Sequence, residues 1–288
     1  MSSRALPFAV VGISLVFFWV LAFSALTGGG TLTDPADILT QGAQATANGD
    51  SFHVAMDVAG GPADPGSGMT MSLDGVTVEG DVDVPAESGH VTFELPGMFG
   101  LSGEAIVIGP DTYVLTTLTG DKWVHMSSDQ GNEGDQGSHE PPTDSDIADK
   151  VTEFLATDGV TAETLDEAPC GDDTCYHVQV TVSSEALLQH YVDSMGDGMG
   201  DNGGMSLFGV GTGMDPADLL QGPLVVDLLF QQNGLWLRSV SAGADAGGPN
   251  ATTLTVTFSN WNQSVDISAP PADQVIEEGD VPMVTPYN

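Results

Sequence analysis

The side chains here that can ligate, attack or carry a proton are six histidines, two cysteines, a group of methionines and 41 carboxylates. His53, His90, His125, His139, His177 and His190 are scattered along the chain. None forms His-Glu-x-x-His, the spacing that sets two imidazoles on one helix face for zinc. Each is expected at a strand face or on the surface. Gly100-Leu101-Ser102-Gly103 falls one residue short of the Gly-x-Ser-x-Gly turn that exposes a nucleophilic serine. No glycine-rich loop leads to a lysine that would hold phosphate. The pattern points away from an enzyme and away from a bound cofactor.

Cys170 and Cys175 stand in Cys-Gly-Asp-Asp-Thr-Cys. A pair this close outside the cytoplasm most often closes a local disulfide, and Gly171 with two aspartates suits a tight turn between strands. Met195, Met199, Met205 and Met214 lie in or beside a glycine-rich stretch with Leu207 and Phe208. Methionine repacks readily around apolar partners, so Met199, Met205, Leu207 and Phe208 are candidates for the mouth of an apolar cavity. A glycine loop without function and a soft-metal site are the alternatives. Asp193, Asp197 and Asp201 recur every four residues, which is not the spacing of an EF-hand calcium loop. Asn250-Ala251-Thr252 and Asn262-Gln263-Ser264 are glycosylation sequons, making Asn250 and Asn262 candidate acceptors.

The net charge of −37 excludes one class of partner outright. Such a field repels phosphate backbones and anionic surfaces, so nucleic acid is not a ligand. Self-repulsion also weakens a compact fold in dilute salt. At about 1 M salt the screening length falls to about 3 Å, which predicts a salt-loving host. Most of the carboxylates are then a solvated surface, with a calcium site the minority reading.

Ala5–Leu26 is an uncharged apolar run of 22 residues preceded by Arg4. It is long enough to cross a hydrocarbon layer of about 30 Å as a helix. One positive charge before it and an acidic chain after it place the N-terminus inside and the remainder outside. The run reads as an uncleaved signal-anchor or as a signal peptide cut near Ala22-Phe23-Ser24. Leu26-Thr27-Gly28-Gly29 resembles a bacterial lipobox in which Gly29 replaces the lipidated cysteine. The organisation expected is a membrane segment or signal over 1–30, one domain over 31–268, and a Pro- and acid-rich tail over 269–288.

The elements that must position these groups follow from periodicity. Asp34 and Pro35 open a helix running to about Ala47, and Asp215-Pro216-Ala217-Asp218 repeats that opening before a short one. Phe52, Val54, Met56 and Val58 alternate, as do Val76, Val78, Val82 and Val84, and Val91, Phe93 and Leu95. Ala105–Ile108, Tyr113–Leu118 and Trp123–Met126 continue the pattern, giving an antiparallel meander of six strands. Residues 127–145 have little to bury and read as a solvated loop. A helix over about Asp146–Asp158 carries Ile147, Val151, Phe154 and Leu155 on one face. Val160–Glu167 and Tyr176–Val182 flank the cysteine turn. A further helix, capped by Ser183 or Ser184, carries Leu187, Leu188, Tyr191 and Met195. Leu224–Gln231, Leu235–Ala242 and Thr252–Asn260 are the last strands, with Val265–Ile267 a short extension. About eleven strands and three or four helices make an α+β protein with helices on one face of an antiparallel sheet.

The closing segment Thr253–Pro271 resembles the LppX/LprG family of mycobacterial and related lipoproteins. The matching features are the strand Leu254–Phe258, the turn Ser259-Asn260-Trp261, the short Val265–Ile267 and Pro270-Pro271. Gly109-Pro110-Asp111-Thr112-Tyr113-Val114 with Trp123 downstream, and Ser51-Phe52-His53-Val54, add to it. The likeness spans about residues 34–271. It implies a single curved antiparallel sheet, a half-barrel of the LolA/LppX type. Helices lie across its concave face and enclose a cavity for acyl chains. On that reading Val151, Phe154, Leu155, Leu187, Leu188, Tyr191 and Met195 line the cavity, although in sequence a cavity wall and a solid core look the same. The function implied is a membrane-tethered, extracytoplasmic lipid-binding or lipid-transfer protein. The alternatives are a structural or adhesion domain without ligand and a metal-binding envelope protein. The missing lipobox cysteine and the extreme acidity depart from the family. Oligomeric state, lipid identity and direction of transfer are not encoded in any of these patterns.

Overall fold

The computed structural model describes residues 32–60, 62, 63, 71, 72, 74–97, 100–127, 143–187, 222–244 and 252–277. Two helices are described in full. Helix α1 is Pro35–Ala47. The Asp34 carboxylate accepts the Ala36 N–H at 2.8 Å, and Pro35 at the first position forfeits no needed donor. Helix α2 is Asp144–Leu155, beginning two residues earlier than periodicity predicts. Thr143 sets that start. Its hydroxyl accepts the Asp146 N–H at 3.4 Å while the Asp146 carboxylate accepts the Thr143 N–H at 2.8 Å, a reciprocal cap. The helix also stops three residues early, at Leu155; Gly159, at φ 87°, lies in the turn into the next strand. Ser183 caps a third helical segment over 184–187, accepting the Ala186 N–H at 3.2 Å.

The strands in chain order are β1 (Ser51–Gly60), β2 (Pro62–Ala63), β3 (Met71–Ser72), β4 (Val76–Asp83), β5 (Ser88–Leu95), β6 (Leu101–Ile108) and β7 (Asp111–Thr116). Then come β8 (Trp123–Ser127), β9 (Val160–Cys170), β10 (Asp173–Val182), β11 (Leu224–Gln231), β12 (Leu237–Ala244), β13 (Thr252–Ser259) and β14 (Val275–Glu277). Twelve of them form one open, mostly antiparallel sheet in the order β14-β8-β7-β6-β5-β4-β1-β13-β12-β11-β10-β9, and β2 pairs with β3 in a separate ribbon. The expected meander is β1 and β4–β8, and the fold class is α+β.

Several strand boundaries differ from the sequence reading, most of them by a few residues at an end. Strand β12 starts at Leu237 because Leu235, at φ 57°, sits in the turn and donates its N–H to the Gln231 carbonyl at 3.0 Å. Val265–Ile267 forms no strand. The region after Ala269 does pair: Ala272–Gln274 is a 3₁₀ turn, and β14 runs parallel to β8 with Ile276 opposite Val124. Hydrophobic periodicity cannot reveal a three-residue strand, since it spans little more than one alternation.

The chain divides into two compact units. Unit one is Met1–Asn48, Gly60–Met71 and Pro142–Thr255; unit two is Gly49–Ala59, Ser72–Pro141 and Val256–Asn288. In unit one, α1 packs on α2 and on β9, β10 and β12. Gln44 Nε2 donates to the Asp144 carbonyl at 3.1 Å and joins the helices, while Thr46 Oγ1 accepts the Leu237 N–H at 3.0 Å. Ile38, Ile147 and Val178 are at most 1 % exposed at the centre. In unit two one face of the strands is buried through Phe52, Val54, Val82, Val91, Phe93 and Val114. Phe52 meets Phe258 edge-on at 5.9 Å and Trp261 at 5.0 Å.

Candidate functional site

One run of adjoining apolar side chains that the register brings together lies on β10, β11 and β12, buried on β10 and partly half-buried on β11 and β12. On β10, Tyr176, Val178, Val180 and Val182 alternate onto one face and are all buried. Register sets Phe230, Leu228, Val226 and Leu224 of β11 opposite them in that order. Leu237, Val240, Ala242 and Ala244 of β12 lie opposite the same β11 residues, a bulge at Leu229 and Phe230 keeping Leu237 on this face. Every position in the patch is hydrocarbon except the Tyr176 hydroxyl, which lies within 3.4 Å of the Leu32 amide.

Coverage of this face is uneven. At the Phe230 end the ring lies against Gly42 of α1, where a Cβ would collide with it, and Phe230 is 3 % exposed. Toward the other end Leu228, Val226, Leu224, Val240 and Ala242 are only half-buried. Such a surface can take a hydrocarbon chain and offers no group for bond making.

The sequence-predicted residues divide accordingly. Val151 is buried and belongs to the packed core of unit one, while Phe154, Leu155 and Leu187 are half-buried. Leu188, Tyr191, Met195, Met199, Met205, Leu207, Phe208 and Asn250 lie outside the described residues. So do Met214, Asp193, Asp197, Asp201, His139, His190 and the apolar run 5–26. Cys170 and Cys175 form a disulfide that clamps the two-residue turn between β9 and β10. Sequence reasoning missed the half-covered stretch of β11 and β12. Its signal was present in Leu224-Val225-Val226-Asp227-Leu228-Leu229-Phe230, but a nearly continuous apolar run reads equally as a buried strand.

The opposite faces of the strands carry the described histidines, together with Val225 and Leu229 of β11. His177 Nε2 lies 2.8 Å from the Asp227 carboxylate, which also accepts from Gln179 at 3.0 Å. In unit two His53 sits between Asp81 at 2.9 Å and Glu79 at 3.3 Å. His90 meets Glu104 at 3.1 Å. His125 stacks on Tyr113 and reaches Asp111 at 2.9 Å through Nε2 and Glu277 at 3.1 Å through Nδ1. The hydrogen bond to Asp111 raises the His125 pKa above 6.5; partial burial opposes the rise and Glu277 adds to it. Each of the four described histidines is thus a strand-face residue paired to carboxylate. Where a histidine meets two carboxylates it uses opposite ring nitrogens, a bridge rather than a chelate. No group of three or more His, Cys, Asp or Glu side chains placed to hold a metal ion occurs among the described residues.

Unit two also holds two open hollows. One of about 410 Å³ is lined by Thr77, Glu79, Thr92, Glu94, Ser102 and Glu104 among others. The other, about 310 Å³, is bordered by Asp81, His90, Asn260, Gln263, Ser264 and Asp266. Both are lined mainly by hydrogen-bonding groups and suit polar guests, not acyl chains.

No family model and no curated protein matches the chain. Among solved structures it is similar to the lipoprotein LppX of Mycobacterium tuberculosis, at 15% identity over 81% of this chain and 97% of that one, with a TM-score of 0.46. LprF of Mycobacterium bovis matches at 15% identity over 83% of this chain and 98% of that one, with a TM-score of 0.45. In class the chain is an α+β protein built on one open, mostly antiparallel sheet of twelve strands.

Proposed function

We propose that the chain is a lipid-binding protein of the cell envelope, held at the membrane by residues 5–26 and working without catalysis. The observation that carries this reading is the half-buried apolar stretch of Leu224, Val226, Leu228, Val240 and Ala242, which share one face of β11 and β12. An acyl chain laid on it would remove a few hundred Å² from water. At about 25 cal/mol per Å² that gives several kcal/mol before ordering costs. Phe154, Leu155 and Leu187 supply half-buried apolar surface in the same unit. Leu188, Tyr191 and Met195 complete the lining in this reading, with Met199, Met205, Leu207 and Phe208 at its mouth. The outward placement rests on the charge asymmetry about the apolar run, and the acidic surface fits a host that lives in salt.

Native mass spectrometry of the full chain, extracted from its own membranes in a detergent of known mass, tests the proposal. A co-purifying lipid that is lost in Leu228→Glu supports it. A ligand-free mass in both proteins, together with no uptake of a fluorescent fatty acid, would overturn it. That result favours a ligand-free structural domain, a reading supported by the polar lining of both described hollows.

A further inference from the structure

The sequon Asn262-Gln263-Ser264 follows β13 in an exposed turn, and all three residues are exposed. Asn260 and Asn262 take φ of 54° and 58°, a conformation asparagine tolerates better than most residues. Gln263 N–H closes the turn on the Asn260 carbonyl at 3.2 Å. The Asn262 N–H donates to the Ser51 carbonyl, and its side-chain Oδ1 accepts the Asp50 N–H at 2.8 Å. These contacts explain an asparagine at 262. They ask nothing of position 264, where the acceptor signal needs a hydroxyl.

They also leave the chemistry open. Oδ1 is engaged, whereas a glycosidic bond is made at Nδ2 and keeps the amide carbonyl, so the bond to Asp50 survives modification. The hollow of about 310 Å³ adjoins this turn, with Asn260, Gln263 and Ser264 on one side and Asp81, His90 and Asp266 among the other lining residues. Its donors and acceptors match the hydroxyls of a sugar ring.

We propose that Asn262 carries an N-linked glycan whose first sugar rests over this polar hollow. In the transfer, Asn262 Nδ2 bonds to the anomeric carbon of a lipid-diphosphate-linked oligosaccharide. The carbon–oxygen bond to phosphate breaks, the lipid diphosphate leaves with the electron pair, and one Nδ2 proton passes to the transferring enzyme. No electrons are gained or lost. The proposal is independent of lipid binding but needs the outward placement described above.

The test is peptide mass mapping of full-length protein from its own host, after intact cells are treated with a membrane-impermeant amine reagent that reports on exposed Lys150. The expected result is labelled Lys150 and a mass shift of one or more sugar residues on the peptide containing Asn262. The shift is lost in Ser264→Ala and in Asn262→Asp, the latter keeping the acceptor for Asp50. Hydrogen exchange at 260–266 is slower in the glycosylated protein than in Ser264→Ala. An unmodified Asn262 peptide in labelled protein overturns the glycan and leaves the outward placement standing. An unmodified peptide in unlabelled protein overturns both. A glycan without slower exchange overturns its seating on the hollow.

Discussion

The two ends of one apolar face in unit one differ in how they are covered. Near Phe230 the helix α1 offers Gly42, so backbone meets ring without a gap, and Thr46 and Gln44 tie the helix to Leu237 and to α2. Near Leu224 the same strands alternate in the same way and Val180 and Val182 of β10 stay buried, yet Leu224, Val226 and Leu228 of β11 remain half-buried. Strand alternation therefore fixes which side chains share a face, while the residues opposite decide whether that face becomes core or a place to bind. One is close-packed and intolerant of volume change; the other has surface left to give to a ligand.

Substitutions at the two ends should separate them. Phe230→Ala opens a cavity at the packed end and is expected to cost about 3–5 kcal/mol, read as a large fall in the midpoint of thermal unfolding. A loss below 1 kcal/mol would mean the end is not packed as described. Removing the disulfide by changing Cys170 and Cys175 together to serine should cost about 2 kcal/mol on the chain-entropy model, because the loop it closes is short. Chemical denaturation in oxidising and reducing conditions checks this. Thr143→Ala removes half of the reciprocal cap of α2 and is expected to cost about 1 kcal/mol, with fatty-acid uptake unchanged. Leu228→Glu, at the half-covered end, should alter stability by about 1 kcal/mol or less and yet abolish uptake of a fluorescent fatty acid. If its stability cost matches that of Phe230→Ala, the two ends are one core.

The smallest effect lies in unit two and serves as a control remote in chain from both ends. The folded-state pKa of His125 is raised by Asp111 and Glu277. Its contribution to stability is then fully present below the unfolded value of 6.5 and is lost as pH rises through the folded one. The unfolding midpoint of the native chain should exceed that of His125→Gln by more at about pH 5 than at about pH 8. A constant difference would show that the pair with Asp111 and Glu277 does not hold in solution. Fatty-acid uptake should not follow this titration.

Much of the architecture was legible because it rests on long, regular signals. Asp34-Pro35 marked α1, and alternation over Phe52–Val58, Val91–Leu95 and Tyr176–Val182 marked the strands on which the buried face is built. The cysteine spacing announced its own turn. The start of α2 was misplaced because Thr143 and Asp146 act as a pair, and a cap is visible only once both ends of the exchange are considered. Strand β14 was hidden because its stability comes from pairing with a distant strand and not from its own three residues. The same holds for the histidines. Each was expected at a strand face or on the surface, but for the four described ones the carboxylate partner belongs to another strand, and register is needed to name it. The site was the least legible part, since a wall for lipid and a core differ only in what lies across from them.

The position of β14 along β8 bears on how this chain behaves in company. Lys122, one of only three basic residues beyond the apolar run, donates to the Asp273 carbonyl at 2.9 Å and so draws the C-terminal strand onto that flank. Backbone amides and carbonyls of β8 are thereby satisfied from within the molecule, and are withheld from any neighbour that would extend the ladder. A chain cut back before Ala272 would present an unpaired row, and crowding at high ionic strength, where mutual repulsion fades, would then favour fibrous self-assembly.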